Sequence, residues 1–209
     1  MIQSAKAQNI DLRYLIDNFR LQRVREPDFF AEWEENLPEL SPAEKEQLDK
    51  VREGYFNLIE HPPLLENVVK LTIVSPILFI AGFYLSPFQI KAEKSIQIKA
   101  EDEGVILEGR IDILLLKENF WVTVIESKQF AFSLEEGVAQ ILAYMLADPH
   151  PETPTFGLLT NGVNFTFVKL VQAENPQFAL SDEFVIRNKK EDLYNVVQIL
   201  KHLSNLAGN

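Results

Sequence analysis

Asp112 stands in the stretch RIDILLL, a single carboxylate within a run of isoleucine and leucine. Burying a lone carboxylate is costly, so the position calls for a partner, a metal ion or a shifted pKa. Glu126 closes a second apolar stretch, FWVTVIES, and the polar tripeptide KEN joins the two. A tight hairpin centred near Glu118 or Asn119 would put Asp112 and Glu126 on one face, directly or diagonally opposite. Diagonal neighbours across a strand pair lie about 7–8 Å apart, a gap that two carboxylate stems can close onto one divalent ion. With no cysteine and three scattered histidines (His61, His150 and His202), the donors are oxygens. That favours a hard ion, Mg2+, with Mn2+ able to substitute. Lys128 follows Glu126 by two positions, which in a strand is the same face. An ammonium there can orient a water and stabilise charge growing on a phosphate oxygen. The acid and the lysine could equally be an ion pair at a sheet end. The buried acid at Asp112 tips the balance toward chemistry.

The surrounding stretches predict the elements that position these groups. SLEEGVAQILAYMLAD reads as a helix, with Ser133 and Glu136 as a capping box and Val138, Ile141, Leu142 and Met145 as its apolar stripe. Gln140 and Tyr144 are four apart and share a face. TFGLLTNGVNFTFVKL reads as a hairpin turning at Asn161-Gly162. EFVIR adds a short strand, and EDLYNVVQILKHLSNL a closing amphipathic helix. Upstream, FQIKAEKSIQIKA alternates as one or two strands. HPPLLENVVKL starts a helix near Leu64, and Ser75-Pro76 opens another through about Tyr84. The first sixty residues read as helical: IDLRYLIDNFRLQRV has helical apolar spacing, and Ser41, Pro42 and Glu44 form a capping box. The order of elements predicts an α/β or α+β chain with a mixed sheet. Residues 1–60 would be a helical extension packed on a core of 61–209.

The order EGRIDILLL, ESK, then Gln140 and Tyr144 resembles the PD-(D/E)xK nuclease superfamily. GLLTNGVNFTF is similar to the strand pair after the Gln-bearing helix in the N-terminal nuclease domain of type I restriction enzyme motor subunits. The resemblance covers about Pro63 to Leu170. It implies a restriction-endonuclease-like core, a mixed central sheet flanked by helices. It implies Asp112 and Glu126 as metal ligands, Lys128 as the catalytic lysine and Gln140 as the helix residue of the extended motif. Glu66, in PPLLENVVK, matches the first-helix acid that completes the metal shell. Glu108 would be a reserve ligand, on Asp112's face by even spacing. Ile111 stands where the family has proline.

Composition bounds these expectations. The chain has 209 residues, 46% apolar, enough for a sizeable core. The absence of cysteine excludes disulfides and thiolate metal sites and fits a reducing cytoplasm. Leu71 to Leu85 is apolar but shorter than the roughly 20 residues of a membrane span. The net charge of −11 counts against a nucleic-acid partner, which usually meets a basic excess. Arg13, Arg20, Arg23, Arg25 and Arg52 could instead form a local phosphate-contacting arm. Two readings follow. One is a Mg2+-dependent DNA endonuclease, working as a homodimer and directed by a separate targeting partner. The other is the same fold used as a non-catalytic nucleic-acid-binding or assembly module.

Overall fold

The runs ILEGRIDILLL and FWVTVIES lie side by side as antiparallel strands in a nine-stranded mixed sheet. The computed structural model describes residues 3–33, 36–62, 65–99, 105–117, 120–127, 134–188 and 190–206. In chain order these hold β1 (Gln3–Lys6), α1 (Leu12–Phe19), β2 (Gln22–Arg23), α2 (Pro42–Ile59), α3 (Glu66–Val69) and α4 (Ser75–Ile80). Then come β3 (Phe88–Lys99), β4 (Val105–Lys117), β5 (Phe120–Ser127), α5 (Leu134–Met145), β6 (Thr155–Thr160) and β7 (Asn164–Val171). The chain ends with β8 (Gln177–Leu180), β9 (Phe184–Val185) and α6 (Lys190–Leu206).

The sheet runs β1-β4-β5-β6-β7-β8-β2, with β3 also paired to β4 and β9 to β7. β5 and β6 are parallel, joined by the crossover α5. Apolar side chains fill both faces. One core gathers Leu15 of α1 and Ile141, Leu142 and Met145 of α5. The other gathers Leu48 and Tyr55 of α2, Val69 of α3 with Ile73 just after it, and Val196 and Leu200 of α6. The protein is therefore an α/β chain, with an open mixed sheet between two helical layers.

The first sixty residues are more than helical. β1 pairs in parallel with β4, Gln3 opposite Val105, and β2 pairs in parallel with β8, Gln22 opposite Gln177. α1 stops at Phe19 because Arg20 turns left-handed (φ 53°), which breaks the helical ladder and releases Gln22 to pair. α2 begins as expected: the Ser41 hydroxyl accepts from the Glu44 N–H, and the Glu44 carboxylate accepts from the Ser41 N–H at 2.7 Å.

The helix expected near Leu64 begins at Glu66 and passes through a π-helical stretch, Lys70–Val74, into α4. A proline inside a helix clashes with the carbonyl four residues back, here that of Thr72. The π turn, with the Ser75 N–H donating to the Lys70 carbonyl, comes just before Pro76 and widens the backbone there. The NG hairpin forms, with Thr160 opposite Phe165. Asn161 Oδ1 accepts from the N–H groups of Val163 and Asn164. Gly162 has φ +83°, and a Cβ there would sit 2.9 Å from a Val69 methyl and 3.0 Å from Ile73. The hairpin tip is thus seated on the α3 segment. Among the described residues no helix is long and apolar enough to cross a membrane.

The parallel strands β1 and β2 make the first sixty residues part of the sheet. A chain beginning at Glu60 should therefore lose cooperative unfolding and aggregate on gel filtration. Sharp thermal unfolding of that shortened chain would show the segment to be dispensable.

Candidate active site

β4 pairs with β3 along one edge. Along its other edge it pairs with β1 from Val105 to Glu108, then with β5 from Ile113 to Lys117. Gly109 to Asp112 lie between these two partners. The β4–β5 ladder ends at Ile113 opposite Ile125, so Asp112 and Glu126 are the next residues on either side of the fork. Past the fork Glu126 stays in the sheet through β6, opposite Leu159.

Tyr144 of α5 reaches into this fork. Its ring lies against Gly109, where a Cβ would stand 2.5 Å from Tyr144 Cε1 and 3.0 Å from Ala7. Its hydroxyl accepts from the Arg110 backbone N–H and from Gln140 Nε2, the latter at 2.6 Å. Tyr144 and Gln140 are both buried, Gln140 to 5% exposure. Burial first, and then the negative charge of Glu126, push the Tyr144 pKa up to about 12, with a smaller push from Asp112. The phenol is therefore neutral and feels both carboxylates. Glu126 is itself buried, at 3% exposure.

From the other helical layer comes Lys70, the first residue of the π stretch. Its Nζ lies 2.7 Å from Glu66 Oε1 and 2.8 Å from Asp112 Oδ1. Glu66 and Lys70 are also i,i+4 neighbours, a pair that helix geometry favours on its own. Burial works against the ammonium, but the hydrogen bonds and charges of Asp112 and Glu66 outweigh it and raise the Lys70 pKa.

The expected residues thus fall into a connected set. Glu66 and Asp112 meet at Lys70. Asp112 and Glu126 flank the fork and act on Tyr144, and Gln140 holds that tyrosine. Lys128 lies outside the described residues, as do Ser133, Glu118, Asn119, Pro63 and Leu64. Glu108 is exposed and accepts from Gln97 Nε2 at 3.0 Å. The arginines do not gather into one arm. Arg13 pairs with Asp17, and Arg52 donates to the carbonyls of Ile186 and Asn188. Arg23 and Arg25 line a cavity of about 470 Å³ beside β2 and β8, four strands from the fork.

Gly109 and the double role of Lys70 lie outside the residues expected from the sequence. A glycine inside a strand marks close backbone approach, and that signal was available. Lys70 was legible as a partner of Glu66, but not of Asp112.

The oxygens of Glu66 and Asp112 already share one hard cation, the Lys70 ammonium, so this donor pair suits a hard metal ion. Among the described residues, however, no group of three or more His, Asp or Glu gathers as a ready metal cage. In comparison with known proteins, the chain matches no family model and no curated sequence.

Two expectations follow from this packing. Gly109→Ala forces a methyl into the Tyr144 ring and should cost about 1–3 kcal/mol, the usual range for overpacking, read as a fall in Tm. Lys70→Met should lower stability by about 1–3 kcal/mol at neutral pH, because it removes the charged hydrogen bonds that link two partly buried carboxylates. Because the folded pKa of Lys70 is raised, the network's contribution is complete below the ordinary lysine value of 10.5 and is lost as pH climbs through the folded value. The Tm gap between wild type and variant should therefore be flat from pH 7 to 9 and close in strong alkali. A gap that closed on mild acidification alone would assign the effect elsewhere.

Proposed function

We propose that the protein is a Mg2+-dependent phosphodiesterase acting on DNA, an endonuclease of restriction-endonuclease-like fold. The supporting observation is that Glu66, Asp112, Glu126 and Gln140, drawn from four separate elements, are linked around one fork through Lys70 and Tyr144. The succession of an antiparallel β3-β4-β5 meander, the helix α5 and a strand parallel to β5 agrees with the same reading.

Glu66, Asp112 and Glu126 would hold Mg2+, or Mn2+ in its place. Bound there, the ion would acidify a water and offset charge on the scissile phosphate. The protein's own groups do the rest. The backbone of Glu126 is held in the sheet by β6, and its side chain is buried. Gln140 and the Arg110 N–H fix the Tyr144 hydroxyl, and that neutral phenol keeps its own proton to donate within the fork. Lys128, two residues past Glu126, orients the attacking water and stabilises the phosphoryl oxygen. On this reading the chain works in the cytoplasm on a DNA substrate. A second copy serves the other strand, and a separate protein supplies targeting.

A second reading has specific support. Lys70 already neutralises part of the carboxylate cluster, and the chain is acidic overall. Both suit a non-catalytic binding or assembly module. The two readings part on chemistry. Wild type should bind Mn2+ in calorimetry and nick supercoiled plasmid in Mg2+. Lys128→Ala should bind Mn2+ but nick about 100- to 1,000-fold more slowly, the scale of one lost transition-state contact. Asp112→Ala should lose binding and nicking together. A wild-type protein that binds no divalent ion and nicks nothing leaves the binding-module reading in place.

A further inference from the structure

The geometry around Lys70 points to a role beyond an ordinary ion pair. Resting on the metal-dependent reading above, we propose that Lys70 is the resident cation of the metal position. Its ammonium holds Glu66 and Asp112 together in the metal-free protein and gives up that gap when the divalent ion enters.

Three features carry this. First, Nζ stands 2.7 and 2.8 Å from one oxygen of each carboxylate. A Mg2+ ion takes oxygen ligands at about 2.0–2.1 Å, so ion and ammonium would compete for the same two oxygens. Second, the ammonium sits between one acid of α3, Glu66, and one of β4, Asp112, two carboxylates that would otherwise repel. Third, Lys70 opens the π-helical stretch Lys70–Val74. Such π turns recur at functional sites. Lys70 is also tied to the protein by a long flexible stem, 23% exposed, so it can swing out without moving the helix.

Lys70 is thus a positioning residue. It holds the two acids in place around one cation, and it sets a threshold for metal entry. The test is Mn2+ affinity by calorimetry on the full chain, for wild type, Lys70→Met and Lys70→Arg. Removing the competing cation should tighten Mn2+ binding by about tenfold or more in Lys70→Met, and Mn2+ should raise its Tm further than that of wild type. Lys70→Arg retains a competing charge and should stay near wild type. A merely structural lysine would give the opposite result, weaker binding on a destabilised frame. If Lys70→Met fails to fold, Lys70→Gln carries the same expectation, since its neutral amide still donates to either carboxylate. Equal or weaker Mn2+ binding by these neutral variants overturns the exchange and leaves the metal reading standing. No Mn2+ binding by wild type or any variant overturns both.

Discussion

The site depends on how one long strand shares its edge. β4 has thirteen residues and pairs with β3 on both sides of Asp112, but on its other edge it must be divided between β1 and β5. Between those partners its backbone polar groups face no strand, and buried groups of that kind need partners. Tyr144 meets the need at Arg110, where the backbone N–H donates to its hydroxyl. This works because Gly109 has no Cβ to hold the ring away. Asp112 emerges at the same gap. The fork is therefore both a break in the sheet and the place where an apolar strand can present a carboxylate.

The second fixed point comes from the opposite layer. The tip of the β6–β7 hairpin packs Gly162 onto Val69 and Ile73, which bracket Lys70 in sequence. The hairpin presses the α3 segment against the sheet, and the π stretch aims Lys70 at Asp112. Glu66, one helical turn before Lys70, is carried along. Packing of apolar groups thus sets the geometry of the charged ones. That order is the expected one, since a partly buried ion pair is favourable only where packing has already fixed its geometry.

The sequence announced the features that local rules govern. The capping box at Ser41, the NG turn, the antiparallel β4–β5 pair and the helix bearing Gln140 all follow from residues within a few positions of one another. What escaped were elements that exist by virtue of a distant partner. β1 has four residues and β2 two, too short for alternation to show, and each is a strand because β4 or β8 offers an open edge. β8 was hidden in the same way. At the candidate site, the Glu66–Lys70 pair was visible as an i,i+4 spacing. The third partner, Asp112, lies forty-two residues beyond Lys70 in sequence, and no local pattern could supply it.

Charge is the remaining difficulty for a polyanionic substrate, since the chain carries eleven more negative than positive charges. What matters for a phosphate is the field where it lands, and a site's field can differ in sign from the whole. β3 is the strand beside the fork, and its register places Lys94 opposite Ile111 and Lys91 opposite Leu114, on either side of Asp112. Both lysines are exposed. Lysines on an edge strand also discourage sheet-to-sheet pairing, so their presence has a structural cause as well as an electrostatic consequence. In the proposed reading, the fork's own carboxylates would repel a phosphate until a divalent ion offsets them. The lysines of β3 would then flank the fork along the strand edge. In that reading, a metal-neutralised fork beside a lysine-bearing edge is where the local field of an acidic chain would favour a phosphate.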